Sequence, residues 1–276
     1  MPIIVDGKKI AAGILARLRE EISLLQVKPH LAAVLVGNDP ASISFLNEKK
    51  KKCDEIGIEF TLYRFDETIT TTNLRKKIHD IRGSKGIKAV VIQLPLPPQV
   101  NTQYILDAVR PEEDVDALSS RARGLLATGK SKVLPPTAEA VLNILETYQI
   151  DLSRSHVVLV GLGALVGKPL LNLLADKAAS LGVVHAGTPD ITRFTKDADI
   201  VIAGTGRPGL IGADMVKDGV VALDAGYSRI DGKVSGDIQF EEVSKKARLI
   251  TPVPGGIGPI TVAMLMKNVL ILAKNS

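Results

Sequence analysis

Short apolar runs of strand length recur along this chain, each followed by a stretch with helical period. Residues 30–36 read HLAAVLV, 89–93 read AVVIQ, 157–160 read VVLV and 199–203 read DIVIA. Continuous apolar runs, rather than alternating ones, mark strands buried on both faces, as in a parallel sheet. Parallel neighbours need crossovers, and residues 8–25, 41–56, 71–82 and 137–148 supply helical patterns between the runs. Further strand candidates lie at 59–64, 182–185, 220–224 and 249–250. This alternation restricts the chain to an α/β fold, a parallel sheet covered by helices.

At 276 residues the chain suits two domains. A second strand series begins near Pro135. The expected division is a first α/β domain over 1–136, joined by a C-terminal helix at 260–276, and a Rossmann-type domain over 137–259. The chain has no tryptophan and 3% aromatics, which argues against stacking platforms for single-stranded nucleic acid. The net charge of +5 is mild, with no basic stripe or recognition motif, so no nucleic-acid partner is expected. The single cysteine, Cys53, excludes an internal disulfide and a thiolate zinc cluster, and no metal site is expected. Its place on an apolar helix face reads as a core thiol. No signal peptide and no apolar run of membrane-spanning length is read in the chain, so a cytoplasmic protein without membrane attachment is expected.

Four segments carry chemistry. Residues 251–261, TPVPGGIGPIT, crowd glycine and proline ahead of a helical pattern. Such a loop is stiff, lets a ligand approach the main chain, and delivers N–H groups to a helix start. Residues 156–170, HVVLVGLGALVGKPL, read strand, glycine turn, helix. Gly161, Gly163 and Gly167 form GxGxxxG, a relaxed dinucleotide fingerprint: a tight turn, close cofactor approach, and close helix packing. The acid that would hold the ribose of NAD is missing after the next strand, where His185-Ala186-Gly187-Thr188 stand, so the cofactor subtype stays open. Ser42, Phe45 and Lys49 share one helix face. Lysine there reads either as ordinary surface charge or as a partly desolvated proton carrier. Gln93 ends a strand just before a proline run, where parallel sheets place ligands. Asp114 and Asp116 read as site acids or as plain loop charges.

Taken together, these segments resemble the methylenetetrahydrofolate dehydrogenase/cyclohydrolase family over nearly the whole chain. The resemblance shows in VGNDPAS (36–42), the Lys49 helix running into CDEIGI (53–58), QLPLP (93–97) and PEEDVDAL (111–118). It continues in VGLGALVGKPL (160–170), ADIVIAGTGRPG (198–209), GKVSGDI (232–238) and TPVPGGIGPIT (251–261). It implies two α/β domains with a cleft between them, in a homodimer, with folate on the first domain and NADP on the second. The implied activity is oxidation of 5,10-methylenetetrahydrofolate with NAD(P), then hydrolysis of the methenyl product to 10-formyltetrahydrofolate. By matching position, Lys49 is the general acid/base, Gln93 tunes it and Asp116 holds the pterin. Phe45 stacks on the pterin, and Pro254, Gly255 and Gly256 line the place where pterin and nicotinamide meet. Gly161, Leu162, Gly163, Val166, Gly167, His185, Thr205 and Gly206 bind the cofactor.

The departures are specific. The family's tyrosine is Phe45, which keeps the ring and loses the hydroxyl. The family's PCTPxG is Pro135-Pro136-Thr137-Ala138-Glu139-Ala140, and DVDG ends in Ala117. The arginine and serine common in the glycine loop are Leu162 and Gly163, and the serine or arginine after His185 is Ala186 and Gly187. These lost groups would grip the 2′-phosphate of NADP. Weak cofactor discrimination is therefore expected, with NADP first and NAD accepted, unless Lys168 or Arg193 supplies the missing cation. A relative with one of the two activities, and a catalytically silent folate- or nucleotide-binding paralogue, are the alternatives.

Overall fold

The computed structural model describes residues 1–230 and 232–274. Along the chain run β1 (Ile3–Ile4), α1 (Gly7–Ser23), β2 (His30–Val36), α2 (Pro40–Ile56), β3 (Glu59–Phe65), α3 (Thr71–Gly83) and β4 (Ala89–Ile92). Then come α4 (Thr102–Leu106), α5 (Ser120–Ala127), α6 (Pro136–Thr147), β5 (His156–Val160), α7 (Gly167–Leu174), β6 (Ser180–Val184), α8 (Thr192–Thr195) and β7 (Ile200–Ala203). β8 (Val221–Asp224), the hairpin β9 (Ser228–Ile230) and β10 (Lys233–Ser235), α9 (Phe240–Val243), β11 (Leu249–Ile250) and α10 (Ile257–Lys274) follow. The apolar runs became strands because burial on both faces suits them: every residue of β4, β7 and β8 is buried.

The chain divides into two compact units. The first holds residues 12–136 and the last helix from Val262 on. Its sheet is parallel, in the order β3-β2-β4. An isolated parallel bridge, Val90 to Asp114, extends the β4 edge. The chain turns straight after this bridge, with Ala117 N–H donating to the Asp114 carbonyl at 3.2 Å. Leu74 and Ile78 of α3 pack on Ala32, Val34 and Val90 of the sheet.

The second unit holds residues 1–11 and 137–261. Its sheet order is β1-β11-β8-β7-β5-β6, with all pairings parallel. β5 lies between β6 and β7, so the chain leaves it first to one side and then to the other. The crevice beyond the strand ends at such a switch point is where open α/β sheets take ligands.

Residues 1–11, expected with the first domain, belong to the second unit. The cause is β1, which pairs with β11 through Ile3 and Leu249, while Val5 N–H donates to the Ile250 carbonyl at 2.9 Å. Two residues are too short a strand to show in a periodicity reading.

A second correction concerns α10. By length and composition this helix could cross a membrane, with a mean hydropathy of 1.5. Its apolarity has another use: Ala263, Met266 and Val269 are fully buried within the protein. From Val262 on, α10 belongs to the first unit. Met266 Sδ meets Cys53 Sγ at 3.4 Å, and the Asn268 amide donates to the carbonyls of Val115 and Leu134, each at 2.8 Å.

Candidate active site

In the first unit, α2 sets the position of the lysine. Asp39 caps the helix by accepting from Ser42 N–H at 2.7 Å, Pro40 opens it, and Gly57 ends it at φ 88°. Phe45 is 38% exposed, one turn before the half-buried Lys49. Lys49 Nζ donates to Gln93 Oε1 at 3.0 Å. Gln93 is 8% exposed, and its Nε2 donates to the Leu94 carbonyl at 2.8 Å. That second bond turns the amide oxygen toward the amine. The lysine predicted from the sequence is therefore held by a buried partner, and the reading of it as free surface charge is set aside.

Burial lowers the pKa of Lys49, and the charge of Asp116 opposes the shift. Burial raises Asp116, and Lys49 opposes that in turn. Asp114 has a different task. It is 5% exposed, accepts from Ser119 N–H at 2.8 Å, and is pushed up to about 6 by burial. Asn268 braces the same loop through the Val115 carbonyl. Between these anchors Ala117, where glycine is the family residue, sits at φ 52° and is fully buried. Cys53, one turn beyond Lys49, is pushed up to about 12 chiefly by burial, as a core thiol should be.

In the second unit the main chain does most of the shaping. A Cβ on Gly161 (φ 107°) would meet the Gly204 carbonyl oxygen at 2.6 Å. A Cβ on Gly167 would overlap the Gly161 carbonyl, so α7 can approach β5 only with glycine there. Val166 fills the space over Gly204, whose own Cβ would lie 2.9 Å from Val166 Cγ1. A Cβ on Gly163 would meet only the Gly204 carbonyl oxygen, at an ordinary 3.9 Å. Together these residues leave a cavity of about 500 Å³ at the switch point. Gly161, Leu162, Gly163, His185 and Thr205 line it, five of the eight residues expected to bind the cofactor. Val166, Gly167 and Gly206 do not line it.

The volume suits a small-molecule site. A floor of glycine backbone opposite a hydroxyl, an imidazole and a guanidinium fits a dinucleotide. The guanidinium is that of Arg207, which the sequence reading missed although it stands in the quoted TGRPG segment. Lys168 is exposed and does not line the cavity, whereas Arg193 lines a neighbouring hollow with Thr188 and Asp190. The turn after β6 is closed on itself, since His185 Nδ1 accepts from Gly187 N–H at 3.0 Å.

Pro254, Gly255 and Gly256 also belong to the second unit. Gly7 N–H donates to the Gly255 carbonyl at 3.0 Å, and a Cβ on Gly7 would overlap the Gly256 carbonyl. The first residues of α1 thus lie against this loop.

A parallel α/β unit with a glycine-floored cavity at its switch point, in one chain with a hydrogen-bonded Lys49–Gln93 pair, defines a dinucleotide-dependent enzyme. Residues 5–116 match the family model of the tetrahydrofolate dehydrogenase/cyclohydrolase catalytic domain, and residues 135–276 match that of the NAD(P)-binding domain. The chain belongs to the tetrahydrofolate dehydrogenase/cyclohydrolase family.

The bifunctional protein FolD of Nautilia profundicola is 45% identical over 276 residues, which is 99% of this chain and 97% of that protein. The crystal structure of the bifunctional FolD from Campylobacter jejuni superposes with a TM-score of 0.96 at 38% identity, covering 100% of this chain and 99% of that one. The Trypanosoma brucei enzyme, solved with NADP cofactor and inhibitor, gives 0.95 at 31% identity, covering 99% and 98%.

Proposed function

We propose that this chain oxidises 5,10-methylenetetrahydrofolate with NAD(P) and hydrolyses the methenyl product to 10-formyltetrahydrofolate, with Lys49 as the general acid/base. The observation that carries the residue assignment is the 3.0 Å contact from Lys49 Nζ to the oriented oxygen of Gln93. A lysine held this way and lowered by burial presents its neutral amine at a lower pH than a free lysine does. Such an amine takes a proton from the water that attacks the methenyl carbon, and the ammonium formed keeps Gln93 as acceptor and Asp116 as counter-charge. Asp116 also offers the pterin edge a carboxylate, and Phe45 offers it a ring face.

Gly161, Gly163, Thr205 and His185 would hold the dinucleotide, with the N–H groups at the start of α7 available to its phosphates. A nicotinamide held there would supply the acceptor for the hydride of the methylene carbon. Pro254, Gly255 and Gly256 would present main chain to a bound ring. Discrimination between NADP and NAD is weak. Arg207 and Arg193 favour a 2′-phosphate, and Asp190, in the same hollow as Arg193, opposes one. The protein works as a cytoplasmic homodimer without nucleic-acid or membrane partners, and sedimentation equilibrium checks the dimer.

One experiment tests the reading. Methenyl formation is followed with NADP and with NAD, and methenyl hydrolysis separately without either. Both activities are expected. Absence of hydrolysis in a folded protein would make the chain monofunctional. A preference for NADP above about a hundredfold, roughly 2.7 kcal/mol, would show that the arginines grip the phosphate.

A further inference from the structure

Behind the cofactor cavity lies a second acidic centre that the reaction does not use. Asp237 is fully buried. Its Oδ2 accepts from Thr205 N–H at 2.5 Å, from the Thr205 hydroxyl at 2.9 Å and from Gly206 N–H at 3.2 Å. Its Oδ1 is buried and meets no hydrogen-bond donor among the described residues.

Asp224, at the end of β8 and 3% exposed, stands beside it. Asp224 accepts from the N–H groups of Gly226, Asp237 and Ile238 at 2.8–3.0 Å. Its own N–H donates to the Thr251 hydroxyl at 2.7 Å. The backbone is packed hard against both acids. A Cβ on Gly226 would overlap the Asp237 carboxylate, and a Cβ on Gly236 would overlap that of Asp224. Neither acid has an ion-pair partner among the described residues. Burial pushes Asp224 up to about 6, and the charge of Asp237 adds to the shift.

Two uncompensated buried carboxylates are expensive, and a folding unit would be more stable with neutral groups in their place. What they hold explains their presence. Thr205 and Arg207 line the cavity, and Arg207 N–H donates to the Thr205 hydroxyl at 3.1 Å. Thr251 opens the proline–glycine loop that runs to Gly256.

We propose that Asp237 is a positioning residue for the cofactor: it fixes the 205–207 turn that lines the cavity, and through Asp224 ties that turn to Thr251 and the proline–glycine loop. The proposal rests on the reading that the dinucleotide occupies this cavity. A carboxylate receiving three hydrogen bonds holds a turn more rigidly than a neutral amide, and a preformed turn spares the ligand the cost of ordering it.

The test uses the full-length protein and NADP as probe. The dissociation constant is measured by calorimetry for wild type, Asp237→Asn, Thr205→Val and Gly163→Phe. A Cβ on Gly163 would touch only the Gly204 carbonyl oxygen, at 3.9 Å, so the phenyl ring can enter the cavity without contact to the Asp237 network. Asp237→Asn is expected to weaken NADP about tenfold, the size of one lost charge-assisted hydrogen bond. Thr205→Val should weaken it about threefold, as one neutral bond would. Thermal unfolding of Asp237→Asn should remain a single cooperative transition, which a general loss of structure would not allow.

An Asp237→Asn protein that binds NADP within twofold of wild type, while Gly163→Phe does not, overturns the proposal. If Gly163→Phe also leaves binding unchanged, the cavity assignment fails and the proposal falls with it. If Asp237→Asn does not fold, Thr205→Val decides: weaker NADP binding supports the proposal, and unchanged binding overturns it.

Discussion

The two units make their sites from different materials. In the first, the candidate site is built from side chains whose ionisation is moved by burial, Lys49 and Asp116. In the second it rests on main chain, with Gly161, Gly167 and Gly204 packed too closely for a Cβ. The difference follows from the task. Proton transfer needs one group of tuned basicity, and a long anionic ligand needs many N–H donors and an open path to them. Substitutions should therefore fail differently in the two units.

Lys49→Met carries the largest expected effect. Methenyl hydrolysis should fall by about two orders of magnitude or more, the usual worth of a positioned acid/base, while the NADP dissociation constant stays put. Hydrolysis within about tenfold of wild type would remove the side-chain half of the comparison. Gly167→Ala comes next and acts on the other unit. Its methyl group must displace the Gly161 carbonyl, which should destabilise the protein by about 2–4 kcal/mol and weaken cofactor binding. Thermal unfolding with and without NADP measures both, and an unchanged midpoint would mean the turn is not packed as described.

A pH experiment sharpens the first half. The pKa of Asp114 is raised in the fold to about 6 from 3.8. Its contribution to stability is therefore fully present below about 3.8 and lost as the pH rises through 6. Asp114→Asn should be more stable than wild type above pH 6 by roughly 1–3 kcal/mol, with the gain shrinking toward pH 4. Denaturant titrations at pH 4.5 and 7 decide, and an equal difference at both would show that Asp114 does not titrate between them.

Phe45→Ala should weaken folate binding by about fivefold through lost stacking, and Phe45→Tyr should keep or raise activity. Unchanged folate affinity in the alanine variant would deny the ring its role. The smallest effect falls where the first unit breaks its own pattern. Ala117 sits at φ 52°, a conformation that suits glycine. Ala117→Gly should stabilise by about 0.5–1 kcal/mol, the left-handed strain relieved less the added freedom of the unfolded chain. A lowered unfolding midpoint would mean the methyl group packs well enough to offset that strain.

What could be read from the sequence divides along physical lines. β2, β4, β5 and β7 were legible because burial on both faces writes a continuous apolar run into neighbouring residues. The face of Ser42, Phe45 and Lys49 was legible because helical spacing is local. β1 and the hairpin of β9 and β10 were not, being too short to carry a period. The acidic centre was invisible for another reason. Thr205, Asp224, Asp237 and Thr251 meet only after the strands have paired, and no spacing along the chain announces that meeting. Arg207 lay inside a quoted motif and passed unread, because exposure and direction toward a cavity are properties of the folded turn.

The strand at the start of the chain bears on how such a protein is made. β1 is made well before its partner β11, and the helix that covers Cys53 and the Val115 loop is made later still. Neither unit is a contiguous piece of the message. A nascent chain halted after residue 136 would present the surface of α2 around Cys53 uncovered, without the helix that belongs on it. Folding of both halves therefore waits for segments made late, and a fragment cut at the boundary between the two family domains is expected to need its missing terminal segment added back before it gives a stable product.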